Sequence, residues 1–283
     1  MQSDTDQIFA ANRAIGCIRL SAKLAEGATR RARVHEEGAL RVRCPGPPAG
    51  ELEAMIVNTA GGMAGGDHFA IDFSVEPGAR LIVTTAAAEK VYRTLGSPST
   101  ITAKLDVAAG GELTWLPQET ILFDRAHLER TIEVDLTGDA RLLMAEAVVF
   151  GRSGMGETLS EGRLFDRWRV RRDGRLLHAE TTRLDGDVAA KLAQAAVAND
   201  GIATASVLLV PGDESMAAAV RDVSLQCRGE VGVSVWNGFA LARLVAADGA
   251  ALRHDLACVL STLRGARLPR LWLHRGTHEP HSA

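Results

Sequence analysis

The 283-residue sequence is poor in aromatic residues, which make up 4% of it, and it holds a single tyrosine, Tyr92. Exposed rings are the usual floor of a sugar-binding groove or a nucleic-acid stacking platform, so their scarcity argues against both. The four cysteines, Cys17, Cys44, Cys227 and Cys258, are far apart and form no Cys-x-x-Cys pair. That spacing excludes a zinc ribbon and a dense disulfide framework. The longest apolar runs, such as Leu142 to Phe150, fall well short of a membrane span, and the polar first residues contain no apolar signal core. A net charge of -3 gives no strong field toward nucleic acid or anionic lipid. Lysine is rare too, only 4 of the 32 basic residues, so basic contacts fall to arginine. These features predict a cytoplasmic globular protein with no obligatory staple.

Familiar catalytic signatures are missing. No Lys follows a Gly, so there is no phosphate-binding loop lysine, and Gly154-Met155-Gly156 lacks the third glycine of a dinucleotide fingerprint. Ser153 fails the nucleophile-elbow spacing, and no His-Glu-x-x-His occurs.

Period-two alternation dominates from about residue 12 to 185. Phe69, Ile71, Phe73 and Val75 alternate with polar or small residues, as do Ile101 to Val107. Leu128, Arg130, Ile132, Val134 and Leu136 follow the same pattern with one charged exception. Such alternation predicts strands buried on one face. A glycine turn recurs at Pro77-Gly78, Gly110-Gly111, Gly138-Asp139 and Asp173-Gly174, with spacings of 33, 27 and 36 residues from Gly78 through Gly111 and Gly138 to Gly174. These read as hairpin-type turns in a loosely repetitive stack of β elements. After residue 200 the pattern predicts a strand at Ser206–Val210, a helix opened by Asp213 and a hairpin around Asn237-Gly238. A second helix is expected over Ala250–Arg264, stopped by Gly265. The expected architecture is one mainly β domain over 1–283. It comprises a quasi-repetitive β-helix-like stack (about 12–200), an α/β end with two helices (about 201–273) and a mobile tail (274–283).

Several segments invite a functional reading. Gly61-Gly62-Met63-Ala64-Gly65-Gly66-Asp67 allows close backbone approach and would aim Asp67 at an interior or an interface. Acids inside apolar runs, Glu146 in Leu142–Phe150 and Glu180 after Leu176-Leu177, must face water, pair, or line a wet cavity. Arg167, Arg169 and Arg171 share one strand face, as on a charge-guarded edge strand or a weak RNA surface. His274, His278 and His281 could chelate a divalent cation.

Taken in order, several motifs resemble the urease accessory protein D family, called H in some bacteria. They are Gly61–Asp67, Thr84-Thr85 through Lys90-Val91-Tyr92-Arg93, Trp115-Leu116-Pro117-Gln118-Glu119, Phe150-Gly151-Arg152 with Gly156-Glu157, and Leu268-Pro269-Arg270-Leu271-Trp272. The resemblance covers about residues 12–273. It implies a stack of strands flanked by two helices, and a maturation chaperone without catalysis of its own. Such a protein would bind apo-urease and the F-type accessory protein, which recruits the nickel-carrying G-type GTPase. It would assist delivery of Ni2+ to the urease centre through a wet interior, holding no cofactor tightly. On this reading Asp67 and Glu180 line the nickel path, with Glu146, Glu119 and Thr85 as further candidates. The alternative is a β-helical carbohydrate-active enzyme using paired carboxylates such as Glu119 and Asp124.

Overall fold

The computed structural model describes residues 13–46, 50–94 and 96–272, with the side chain of Ser153 excepted. The tail carrying His274, His278 and His281 lies outside the described residues.

Two large sheets face one another. In the first, β1 (Ile15–Ala25), β5 (His68–Val75), β8 (Ser99–Val107), β11 (His127–Leu136) and β14 (Glu161–Arg172) run parallel. Antiparallel β2 (Ala28–Gly38) and β15 (Arg175–Asp187) form its two edges. In the second, β4 (Leu52–Asn58), β6 (Arg80–Thr85), β9 (Glu112–Leu116) and β12 (Arg141–Arg152) are parallel, with β3 (Leu40–Arg43) antiparallel at one edge. Beyond β12 the sheet continues antiparallel through β16 (Ala203–Val210), β18 (Phe239–Ala246) and β17 (Glu230–Trp236). A narrow third wall joins β7 (Glu89–Val91), β10 (Thr120–Leu122) and residues 148–150 of β12 in parallel register. The short β13 (Glu157–Thr158) pairs with the end of β12.

The chain therefore winds as a solenoid, from first sheet to second sheet to third wall and back. This winding corrects the hairpin reading at three of the four glycine turns. Strands flanking Gly78, Gly110 and Gly138 lie in different sheets, and only Asp173-Gly174 closes a hairpin, between β14 and β15. The turns stack instead: Ala108 N donates to Val75 O, Thr137 N to Val107 O and Asp173 N to Leu136 O, each at 2.9 Å. Glycine's positive φ at these corners, 70° at Gly78 and Gly110 and 56° at Gly138, keeps them tight enough to stack.

Inward residues of both sheets make the main core, with Phe73 and Trp115 meeting edge-to-face at 6.2 Å. Register on the outer face of the first sheet is marked by charge. Arg19, Asp72, Lys104, Glu133 and Arg169 occupy one rung, alternating in sign across the five parallel strands. A slip by one residue would break both this rung and the burial alternation. Arg167, Arg169 and Arg171 thus sit on an interior strand of the sheet rather than on a guarded edge, because β15 continues the sheet past them.

The outer face of the second sheet is covered by α2 (Glu214–Ser224) and α3 (Gly249–Arg264), which bury Val220, Leu252, Leu256, Val259 and Leu260 against it. Asp213 and Asp248 cap their N-termini by accepting from Met216 N and Ala251 N, and Gly265 ends α3 at φ 61°. The expected hairpin forms around Asn237-Gly238, both at positive φ. A single turn of helix that the sequence pattern did not reveal, α1 (Val188–Leu192), follows β15 and is capped by Asp187. None of the described helices is long and apolar enough to cross a membrane.

Candidate functional site

The charged exception in the β11 alternation, Arg130, points inward and anchors a buried polar cluster between the sheets. Its guanidinium forks onto Asp166 of β14, Nε meeting Oδ1 at 3.0 Å and Nη2 meeting Oδ2. Nη1 donates both to Glu146 Oε2 of β12 and, at 3.3 Å, to Thr120 Oγ1 of β10. Two indoles complete the shell: Trp115 Nε1 donates to Glu146 Oε1 at 2.7 Å, and Trp168 Nε1 to Asp166 Oδ1 at 3.2 Å. All four carboxylate oxygens have donors, which is what permits charges to survive at this depth. Burial alone would drag the guanidinium down, yet Asp166 and Glu146 hold it above its usual value. Burial pushes the Glu146 carboxyl up to about 7 against the pull of Arg130, with Asp166 adding to the rise and Trp115 opposing it.

This cluster forms part of the wall of a cavity of about 180 Å³ between β14 and β15 on one side and β12, β16 and β18 on the other. Arg130, Glu146 and Asp166 share that wall with Glu180, Ser206 and Arg243. Glu180 Oε1 accepts from Ser206 Oγ at 3.3 Å, and Oε2 lies 3.2 Å from Arg243 Nη2 and 3.4 Å from His178 Nε2. Burial works against ionisation of Glu180, but His178, Arg243 and Ser206 together hold its carboxyl below the usual range. The cavity therefore collects three carboxylates, two guanidinium groups and the hydroxyls of Thr182, Thr204 and Ser206. Among the described residues, no three His, Cys, Asp or Glu side chains gather in a way that could hold a metal ion.

Glu146 and Glu180, expected from the sequence, thus meet in one cavity, while the other three candidates lie elsewhere. Asp67 is buried and accepts from main chain through both oxygens, Oδ1 from Ala14 N at 2.8 Å and Oδ2 from Ala64 N at 2.7 Å. Its glycine-rich loop lies against the segment after β7. A Cβ on Gly62 would stand 2.6 Å from the Tyr92 ring, and one on Gly65 would stand 1.9 Å from Thr94 Oγ1. Thr85 accepts from Gln118 N and donates to Ala87 O. Glu119 pairs at 3.1 Å with Arg253 of α3, whose guanidinium also lies over the Trp272 ring at 4.9 Å. Trp272 in turn donates to Leu116 O at 2.9 Å, so the Trp115–Glu119 and Leu268–Trp272 motifs dock on each other beside the helix.

The paired-carboxylate alternative fares poorly in this geometry. Asp124 is taken up by the amides of Ser160 and Glu161, Glu119 by Arg253, and Trp115 is buried.

In the sequence Arg130 stands out only as a charged exception to an alternation, and Asp166 and Glu89 carry no individual mark. Glu89 projects from β7 toward Asn58, whose Nδ2 donates to it at 2.9 Å. Burial pushes its carboxyl up to about 7 against the hydrogen bonds from Asn58 and the Lys90 main chain, with Asp67 reinforcing the rise. For Arg130 the signal was present, since a charge at an inward position demands a buried partner.

Fold and site together define a β-solenoid whose interior holds a polar cavity lined by three carboxylates and two guanidinium groups. The family model described as "UreD urease accessory protein" matches residues 14–273. The urease accessory protein UreD of Rhodopseudomonas palustris strain BisA53 is 55% identical over 267 residues, covering 94% of this chain and 93% of that protein. UreD of R. palustris strain CGA009 is 53% identical over 95% of this chain and 96% of its own length. The protein of the same name from Bradyrhizobium diazoefficiens is 52% identical over 96% and 98%. The chain belongs to the UreD family of urease accessory proteins.

Proposed function

We propose that this chain is a non-catalytic scaffold of urease maturation in the cytoplasm, and that Ni2+ crosses its interior on the way to the urease active site. In this reading it holds apo-urease on one side and the F-type accessory protein on another, which brings in the nickel-carrying G-type GTPase. Membership of the UreD family supports the maturation role.

The observation that carries the nickel reading is the cavity joining Glu180, Ser206 and Thr204 to the Arg130–Glu146–Asp166 cluster. A transferred dication needs oxygen contacts strong enough to replace some of its water and weak enough to let go. Carboxylates and hydroxyls that already share their lone pairs with internal donors meet that requirement, whereas a His and Cys cage would retain the metal. Glu180 and Glu146 are the residues this reading places on the path. Asp67, with both oxygens committed to amides, is assigned to holding the loop between β4 and β5.

The test separates assembly from delivery. Glu180→Gln keeps the side-chain shape and removes its charge. Co-purification with urease and the accessory proteins should be unchanged, while the nickel content and activity of the urease recovered should fall severalfold. Full nickel content with intact assembly would remove Glu180 from the path.

A further inference from the structure

The buried cluster contains a residue whose type is unexpected for a cation passage: an arginine between two carboxylates. We propose that Arg130 is an internal counter-cation that keeps Glu146 and Asp166 from capturing the metal, so that the interior conducts nickel without storing it. This rests on the proposed nickel passage and concerns how that same cavity is regulated.

The geometry supports it in three ways. Arg130 reaches both acids at once, with Nε and Nη2 on Asp166 and Nη1 on Glu146. It is itself held in place, since Nη1 also meets Thr120 and the whole side chain is only 4% exposed. The indoles of Trp115 and Trp168 fix the remaining lone pairs, so neither carboxylate can swing away to chelate without losing a donor. Charge gives the same answer. With every group ionised, Glu146, Asp166 and Glu180 are opposed by Arg130 and Arg243, leaving one net negative charge around the cavity. A dication approaching Glu146 must compete with a guanidinium already at contact distance. If Arg130 is neutralised, two inner carboxylates face the cavity with their strongest donor gone, which describes a binding site rather than a passage. An arginine suits this role better than a lysine, because its planar fork serves two acids from one position and never loses its proton.

Arg130 is thus a positioning residue, and its substitution should raise nickel affinity while lowering nickel delivery. A purely structural role would give no gain in affinity. The experiment uses the full-length chain, titrated with nickel chloride by calorimetry at neutral pH. Arg130→Gln should bind one Ni2+ at least about tenfold more tightly than the unaltered chain. Arg130→Lys keeps the charge and with it the fold, but its single ammonium cannot serve both acids. It should show a smaller gain in the same direction, and adding Glu146→Gln to it should abolish the gain. Urease matured with either single variant should contain less nickel. If Arg130→Gln does not fold, Arg130→Lys alone decides. Nickel affinity unchanged from the unaltered chain in the folded variants would overturn the role of Arg130. The passage itself is judged separately: a loss of delivery in Glu180→Gln with no affinity gain in the Arg130 variants would leave the passage standing and the counter-cation refuted. Undiminished delivery in Glu180→Gln would refute the passage.

Discussion

Replacing Glu89 by Gln should abolish a pH dependence of stability that the fold imposes on this one carboxyl. Glu89 stands half-buried on the third wall beside Asn58, and burial lifts its pKa from the ordinary 4.5 to about 7. Because the folded value lies above the unfolded one, the folded chain binds the proton more tightly. The corresponding stabilisation is complete below pH 4.5, is lost as pH climbs to about 7, and stays lost above that. At about 1.4 kcal/mol per tenfold in proton affinity, the loss is at most about 3.5 kcal/mol. Gln keeps the acceptor for Asn58 Nδ2 and carries no charge at any pH. The variant should therefore lie within about 1 kcal/mol of the parent at pH 5 and exceed it by up to about 3.5 kcal/mol at pH 8. Urea unfolding of both proteins at half-unit steps from pH 5 to 8 measures the difference. Glu146 titrates in the same window but is present in both chains, so it largely cancels. A stability difference independent of pH would show that the Glu89 carboxyl is not held in its neutral form by burial.

Other substitutions probe the frame. Asp67→Ala should cost about 1–3 kcal/mol for each of the two amides left without an acceptor, and should speed hydrogen exchange at Ala14 and Ala64. Trp272→Ala removes a ring that is 2% exposed and its bond to Leu116 O, and should lower stability by about 3–5 kcal/mol in a denaturant titration. Gly62→Ala drives a methyl to 2.6 Å from the Tyr92 ring at a φ of 154° and should cost about 1–3 kcal/mol. Adding Tyr92→Ala, which clears that space, should leave Gly62→Ala with a smaller effect than it has in the parent chain.

Much of the fold could be read from the residues. Phe69 to Val75 and Leu128 to Leu136 declared their buried faces by alternation, and Asp213, Asn237-Gly238 and Gly265 marked element ends within a residue or two. The glycine turns revealed repetition but not connection, because an alternating strand looks the same whether its partner is the next strand or one a full coil away. Hydrogen bonds between Val75 and Ala108, or Leu136 and Asp173, are set by that longer spacing. At the site, Glu146 and Glu180 stood out as acids in apolar runs. Asp166 did not, because it sits among Arg163, Arg167, Arg169 and Arg171 in a charge-rich stretch, where no apolar run sets it apart. Its significance depends on Arg130, which lies 36 positions away and directly alongside it on the neighbouring strand. Asp67 shows the converse: an acid with a conspicuous setting whose oxygens are consumed by local amides.

The central claim, that nickel travels through the space between the two sheets, can be tested by filling that space without touching a charge. Thr204 lies on β16 two residues from Ser206 and shares its inward face, lining the cavity. Thr204→Trp would occupy much of the volume while leaving Glu146, Asp166, Glu180 and Arg130 in place. Urease co-expressed with this variant should assemble with its accessory proteins at the normal level yet carry little nickel when its metal content is measured. Urease with its full nickel complement, recovered beside a folded Thr204→Trp chain whose cavity is demonstrably filled, would contradict passage through the interior.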